Sequence, residues 1–205
     1  MGDCFVLASI NALANSQAGR ELIERSIVQN ADGSYTVTFA GDPEHPITVT
    51  ADEVASTGDG FSIGDPDMNV LEIALDKYAA QHPEVLGSST IKNGGLEEKV
   101  FELFTGSSGS LPCDFDPART RDWLELLAPS LRDGTLALTF GTKMGEGGSF
   151  GDVPGDGWHA LTILDIDLEA GTVTFVNPWD SGNPITMDID EFAGKAFDFH
   201  FTVLA

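Results

Sequence analysis

Apolar residues along the chain recur at two different periods, and the change from one to the other divides it in half. From Cys4 to Ala14 they fall at 6, 7, 10, 13 and 14, the spacing of one helical face, with Asp3 placed to cap the start. A second helical stretch follows over about Gly19 to Ile27. Asn30-Ala31-Asp32-Gly33 then reads as a turn, and alternation at Tyr35, Val37 and Phe39 predicts a strand partnered by Ile47 to Val49. Helical spacing returns over Met68 to Gln81 and Leu96 to Phe104. After Gly106-Ser107-Ser108-Gly109-Ser110 the character changes. Pro117 to Leu131 is predicted as a helix burying Trp123, Leu124 and Leu127, ended by Gly134. Leu136 to Phe140, Ala160 to Ile166, Thr172 to Val176 and Phe197 to Leu204 read as strands. The pattern predicts an α+β fold of two lobes, a helical one over 1–109 and an antiparallel β one over 110–205, with a cleft between them. Gly141 to Gly157 holds seven glycines and few apolar anchors, which predicts a mobile loop bordering that cleft just before His159.

Length and charge narrow the possible functions. A chain of 205 residues, 41% hydrophobic, is long enough to bury a sizeable core. No stretch reaches the roughly 18 to 20 apolar residues of a membrane span, and no basic flank precedes an apolar run as in a signal peptide, so localisation is left open. With 33 acidic against 10 basic residues the net charge is −23, which repels phosphate backbones and argues against nucleic acid as a partner. Clustered oxygens make calcium a candidate ligand, at Asp59, Asp65, Asp67 and Asn69 or at Asp152 and Asp156. The first group is not an EF-hand loop: Val70 occupies the place of the turn glycine and Asp76 that of the bidentate glutamate.

The chemistry-bearing residues are Cys4, His159 and Asn177, in that order. A thiol attacks as thiolate, so it needs an imidazole to take its proton and a third polar group to hold the ring in one tautomer. Cys4 at a helix start adds the dipole and free N–H groups, which also favour thiolate. Cys113 reads as an unrelated thiol. His45 and His82 precede prolines and read as solvated surface residues, while His200 alternates with Phe199 and Phe201 and reads as packing.

The residues around these three carry a more specific likeness. Gly2-Asp3-Cys4-Phe5-Val6-Leu7-Ala8, His159-Ala160 entering a strand, and Asn177-Pro178-Trp179 followed by Asp180-Ser181-Gly182 resemble the protease core of the calpain family. Gly33 to Phe39, Asn69 to Tyr78 and Phe104-Thr105-Gly106 are similar to further segments of that core, so the likeness spans nearly the whole chain. It implies a papain-like fold, a cysteine endopeptidase acting on protein or peptide substrates, catalytic Cys4, His159 and Asn177, and Trp179 shielding the His159–Asn177 hydrogen bond. No cofactor is required for that chemistry, and calcium is a known ligand of the family. The family's Trp after the nucleophile is Phe5 here. Its Gln six residues before the nucleophile, an oxyanion-hole donor, has no counterpart among Met1, Gly2 and Asp3, so a truncated core of a longer polypeptide and a catalytically impaired relative acting as a binding or regulatory module are both expected to read this way. A transglutaminase-like acyl transferase shares the Cys-then-His order but uses Asp as third member, against Asn177.

Overall fold

The structure is a computed structural model that describes residues 2–56, 66–144 and 157–204. Its organising element is α1 (Cys4–Ala14), in which Phe5, Val6, Leu7, Ala8, Ser9, Ile10, Ala12 and Leu13 are all buried. A helix that is apolar on every side belongs inside a protein, and the only polar side chain among these residues, Ser9, is satisfied by donating to Phe5 O at 2.8 Å. α2 (Gln17–Ser26) starts two residues before the predicted position because Ser16 accepts from Gly19 N at 3.0 Å and caps it. A three-stranded antiparallel sheet follows in the order β1 (Ile27–Gln29), β2 (Tyr35–Val37), β3 (Ile47–Val49). β1 lies where the sequence pattern showed only the end of a helix. The half closes with α3 (Ala51–Ala55), α4 (Pro66–Gln81), α5 (Pro83–Leu86), a 3-10 turn at Ile91–Asn93 and α6 (Glu97–Thr105).

The second half is one six-stranded antiparallel sheet with two helices. In chain order it contains β4 (Gly109–Pro112), α7 (Pro117–Arg132), β5 (Leu136–Met144), β6 (Gly157–Asp167), β7 (Thr172–Val176), a 3-10 turn at Pro178–Asp180, β8 (Ile185–Asp188), α8 (Ile189–Ala193) and β9 (Asp198–Val203). The sheet order is β4-β9-β5-β6-β7-β8. β4 lies in the Gly/Ser stretch that reads as a connection, its residues Gly109 to Pro112 pairing with Phe201 to Asp198. Gly109 fits there because a side chain would meet the Phe201 ring. The predicted glycine-rich loop is also corrected at its start: Gly141 to Met144 continue β5 in register with Ala160 to Gly157 of β6. Residues 145–156 of that loop lie outside the described residues.

Two buried clusters result. One gathers α1, α4, α6 and β3 around Phe39, Tyr78, Phe101 and Phe104; the other gathers α7, α8 and the large sheet around Phe140, Phe175, Phe192 and Phe199. The chain is thus an α+β protein. α1 spans the contact between the two sets of elements and is tied to β6 by polar links that fix its position. Thr162 Oγ1 donates to Ala8 O at 2.8 Å, and Asn15 Nδ2 donates at 2.9 Å to Leu164 O, at the point where β6 shifts register against β7. Among the described residues no helix is long and apolar enough to cross a membrane.

Thr162→Val keeps the shape and removes the buried hydroxyl. Given the usual worth of such a bond, the variant should lose about 1 kcal/mol, seen as a lower urea midpoint with an unchanged slope. An unchanged midpoint would show that the link does not hold α1 on the sheet.

Candidate active site

Cys4 is the first residue of α1, and the chain just before it is tightly held. Gly2 N donates to Lys92 O at 3.0 Å, and a Cβ on Gly2 would stand 2.5 Å from Lys92 O and Gly94 N, so only glycine passes here. Asp3 O accepts from Val6 N and Leu7 N. Asp3 occupies the N-cap position as expected, yet its side chain makes no cap hydrogen bond. Its Oδ1 instead accepts from the indole Nε1 of Trp179 at 3.1 Å, across the whole length of the sequence.

His159 and Asn177 come together as the sequence spacing suggests. His159 sits on β6 at 3% exposure; Asn177, the residue after β7 and the cap of the 3-10 turn at Pro178–Asp180, is at 8%. His159 Nε2 lies 3.0 Å from Asn177 Oδ1, and the same oxygen accepts from Trp179 N at 3.2 Å. Two N–H groups converging on one atom fix the amide's orientation and make that atom the carbonyl oxygen, so Nε2 carries the ring proton and Nδ1 keeps a free lone pair. The Trp179 ring covers the imidazole, with centroids 4.4 Å apart and planes at 43°. Asp3, Trp179, Asn177 and His159 therefore form a closed chain of contacts beside Cys4. Cys4 and His159 line one cavity of about 650 Å³ together with Trp179.

The electrostatics run against the expectation drawn from the helix end. Burial pushes the Cys4 thiol above its ordinary pKa, the N–H groups of Ala160 and Phe5 pull it back, and the carboxylates of Glu97 and Asp3 push it up again. Burial also holds the His159 imidazole below its ordinary value, opposed by the Asn177 hydrogen bond and by Asp3. Both directions favour a neutral thiol beside a neutral imidazole over a resting ion pair. Proton transfer in such a pair accompanies attack. Cys113, fully buried among α7 and the large sheet, has a thiol pushed up to about 11, chiefly by burial, and both cysteines are free.

The same cavity is lined by residues that sequence reasoning missed or placed elsewhere. His200 does not simply pack: it lines the cavity at 4% exposure, with Nε2 3.2 Å from Asp198 Oδ2 and 3.8 Å from Glu97 Oε2, and Nδ1 3.8 Å from Glu98 Oε2. Glu97 opens α6 at 4% exposure, and burial pushes its carboxyl up to about 7 against the opposing pull of His200. Period-two alternation does put Asp198 and His200 on one face of β9, opposite Phe199, which was the available signal. His45 is exposed as expected, with Nδ1 2.8 Å from Asp42 Oδ1, whereas His82 is half-buried, its ring tilted against those of His45 and Tyr78.

Asp67 and Asn69 lie in the first turn of α4, while Asp59, Asp65, Asp152 and Asp156 fall outside the described residues. Among the described residues no group of three or more His, Cys, Asp or Glu side chains is arranged to hold a metal ion. No protein-family model matches the chain, and no curated protein matches it either.

Two outcomes are expected. Iodoacetamide at neutral pH should label Cys4 in preference to Cys113, and His159→Ala should sharply slow the Cys4 reaction, as read by peptide mass spectrometry; equal rates at the two thiols would remove Cys4 from the site. The second outcome concerns pH. Glu97 has a folded-state pKa of about 7 against 4.5, and His200 is also raised by Asp198, Glu97 and Glu98 against the effect of burial. Each therefore binds its proton more tightly when folded. Their contribution is fully present below the unfolded pKa and is lost as pH rises through the folded one, for Glu97 between about 4.5 and 7. Glu97→Gln, a fixed neutral mimic, should match the parent in urea at pH 5 and exceed it at pH 8 by on the order of 1–3 kcal/mol. A variant no more stable than the parent at pH 8 would contradict the assignment.

Proposed function

We propose that the chain is the core of a cysteine endopeptidase related to the calpain family, with a two-lobed papain-like arrangement, acting on protein or peptide substrates. The observation that carries this reading is the 3.0 Å contact between His159 Nε2 and Asn177 Oδ1, beside a cavity that Cys4 shares. It leaves His159 Nδ1 as the base. In the proposed reaction Cys4 Sγ attacks the scissile carbonyl carbon as its proton passes to Nδ1, and the carbonyl π electrons move to oxygen. The Cys4 backbone N–H contributes one donor to that oxyanion. Collapse breaks the C–N bond, with the Nδ1 proton going to the departing amine. Water then attacks the thioester, assisted by His159 as base, and frees the acid and the thiol. Asn177 holds the ring through both steps, and Trp179 keeps water off its hydrogen bond.

The alternative reading is a calpain-like domain that no longer cleaves and serves as a binding or regulatory module. One experiment separates the two. Cleavage of a fluorogenic peptide should be followed for the chain as it stands and for a chain extended so that Gln stands six residues before Cys4, with Cys4→Ala as blank, with and without calcium. A peptidase should show Cys4-dependent cleavage that rises about 10²-fold or more on extension, because the added amide stabilises charge present only in the transition state. No Cys4-dependent cleavage by either chain would leave the module reading.

A further inference from the structure

The cavity that Cys4 and His159 line carries two further surfaces of different chemistry. One is aromatic. Trp158, next to His159 in sequence, is 60% exposed, stacks over Phe115 with planes at 17°, and meets the Phe197 ring at 4.5 Å with planes tilted by 54°. An exposed indole lining a cavity is costly to leave in water. This shelf is held by a strained turn: Asp114 and Phe115 both adopt positive φ, 54° and 58°, a region that non-glycine side chains rarely occupy. Their amides are fixed on Phe197 O and Ala196 O at 2.7 and 3.1 Å. Strain of this kind persists where surrounding structure over-determines it, and it gathers at ligand-binding positions.

The other surface is acidic. Glu97, Asp198 and His200 line the same cavity, and Glu98 stands behind His200. Three carboxyl groups face a single imidazole, and no Lys or Arg is among the described residues lining the cavity. His200 is 96% removed from solvent by its 4% exposure, yet its Nδ1 makes no hydrogen bond. Its Nδ1 faces Glu98 Oε2 at 3.8 Å and its Nε2 faces Asp198 and Glu97, so even with both ring nitrogens protonated the carboxyl groups outnumber the imidazole three to one.

An aromatic shelf leading to a floor of hydrogen-bond acceptors suits a side chain with a long apolar stem and a cationic head bearing several N–H groups. We infer that this end of the cleft selects an arginine or lysine side chain at one of the two substrate residues before the scissile bond, its stem lying on Trp158 and Phe197 and its head bound by Glu97 and Asp198. The inference rests on the peptidase reading and makes that reading specific as to substrate class.

The test uses small acyloxymethyl ketones that alkylate a cysteine, carrying Gly-Arg or Arg-Gly, each compared with the same compound in which uncharged citrulline replaces arginine. Charge-assisted hydrogen bonds are strong enough to make one arginine compound at least roughly 10-fold faster on Cys4 than its citrulline partner. Glu97→Gln and Asp198→Asn should each bring that ratio toward one. In the unaltered protein, N-acetyl-arginine methylamide should protect Cys4 from iodoacetamide better than N-acetyl-citrulline methylamide, which needs no variant to fold. Equal rates for both pairs and equal protection overturn the inference while leaving Cys4 a reactive thiol. A preference that survives both substitutions overturns its assignment to this wall. Failure of iodoacetamide itself to react with Cys4 in a His159-dependent way overturns the peptidase reading, and the inference with it.

Discussion

Everything at the site depends on the burial of α1, of which only Cys4, Asn11 and Ala14 stay partly open. A helix so nearly apolar all round has only one stable place, between two apolar surfaces, and here those surfaces come from the helical half and from the β5–β6 face of the large sheet. That burial delivers Cys4, at the helix start, to the strand that carries His159. The few polar links then set the register: Thr162 to Ala8, and Asn15 to the Leu164 carbonyl where β6 bulges. Shape and hydrogen bonding thus do different jobs. The apolar faces bring the elements together, and the polar contacts choose one alignment among those the faces would permit.

The same burial sets the protonation of the site. A thiol at a helix start is usually discussed in terms of the dipole, but desolvation is the largest effect on Cys4, and it acts in the opposite sense. Asp3 is the joint between the two influences. Its carboxylate, 3% exposed, raises the basicity of His159 while disfavouring a thiolate on the neighbouring residue. Because it receives the Trp179 indole instead of capping α1, it also holds the cover over the His159–Asn177 contact. One side chain thereby serves position and charge together.

The elements with strong periodicity were legible in the chain. α1, α4, α6 and α7 lie within a few residues of their predicted bounds, as do β2, β3, β6 and β7, because each buries one face in a repeating pattern. β1, β4 and β8 were not: unlike the equally short β2 and β3, none of them has a fully buried side chain, so they are held by a partner strand more than by an apolar pattern of their own. The approach of His159 to Asn177 was readable, since the chemistry demands an imidazole and an orienting amide. The acidic wall was not, because Glu97 and His200 become neighbours only when α6 docks on β9, and a histidine between two phenylalanines looks like packing until its strand partners are known. Asp3 was read as a cap because the position was right; the indole that claims its carboxylate lies 176 residues away.

The pairing of Thr162 with Ala8 spans 154 positions of chain, and this has a bearing on how the protein is made. α1 leaves the ribosome long before β5 and β6 exist to cover it. At ordinary elongation rates the delay is roughly 10 to 30 s, during which α2, α4 and α6 can already cover one side of α1 while the side that the large sheet takes stays open. Contacts this distant in sequence also form late, because loop closure must precede the burial that rewards it. The segment bearing Cys4 therefore reaches the strand that carries His159 only once nearly the whole fold is assembled.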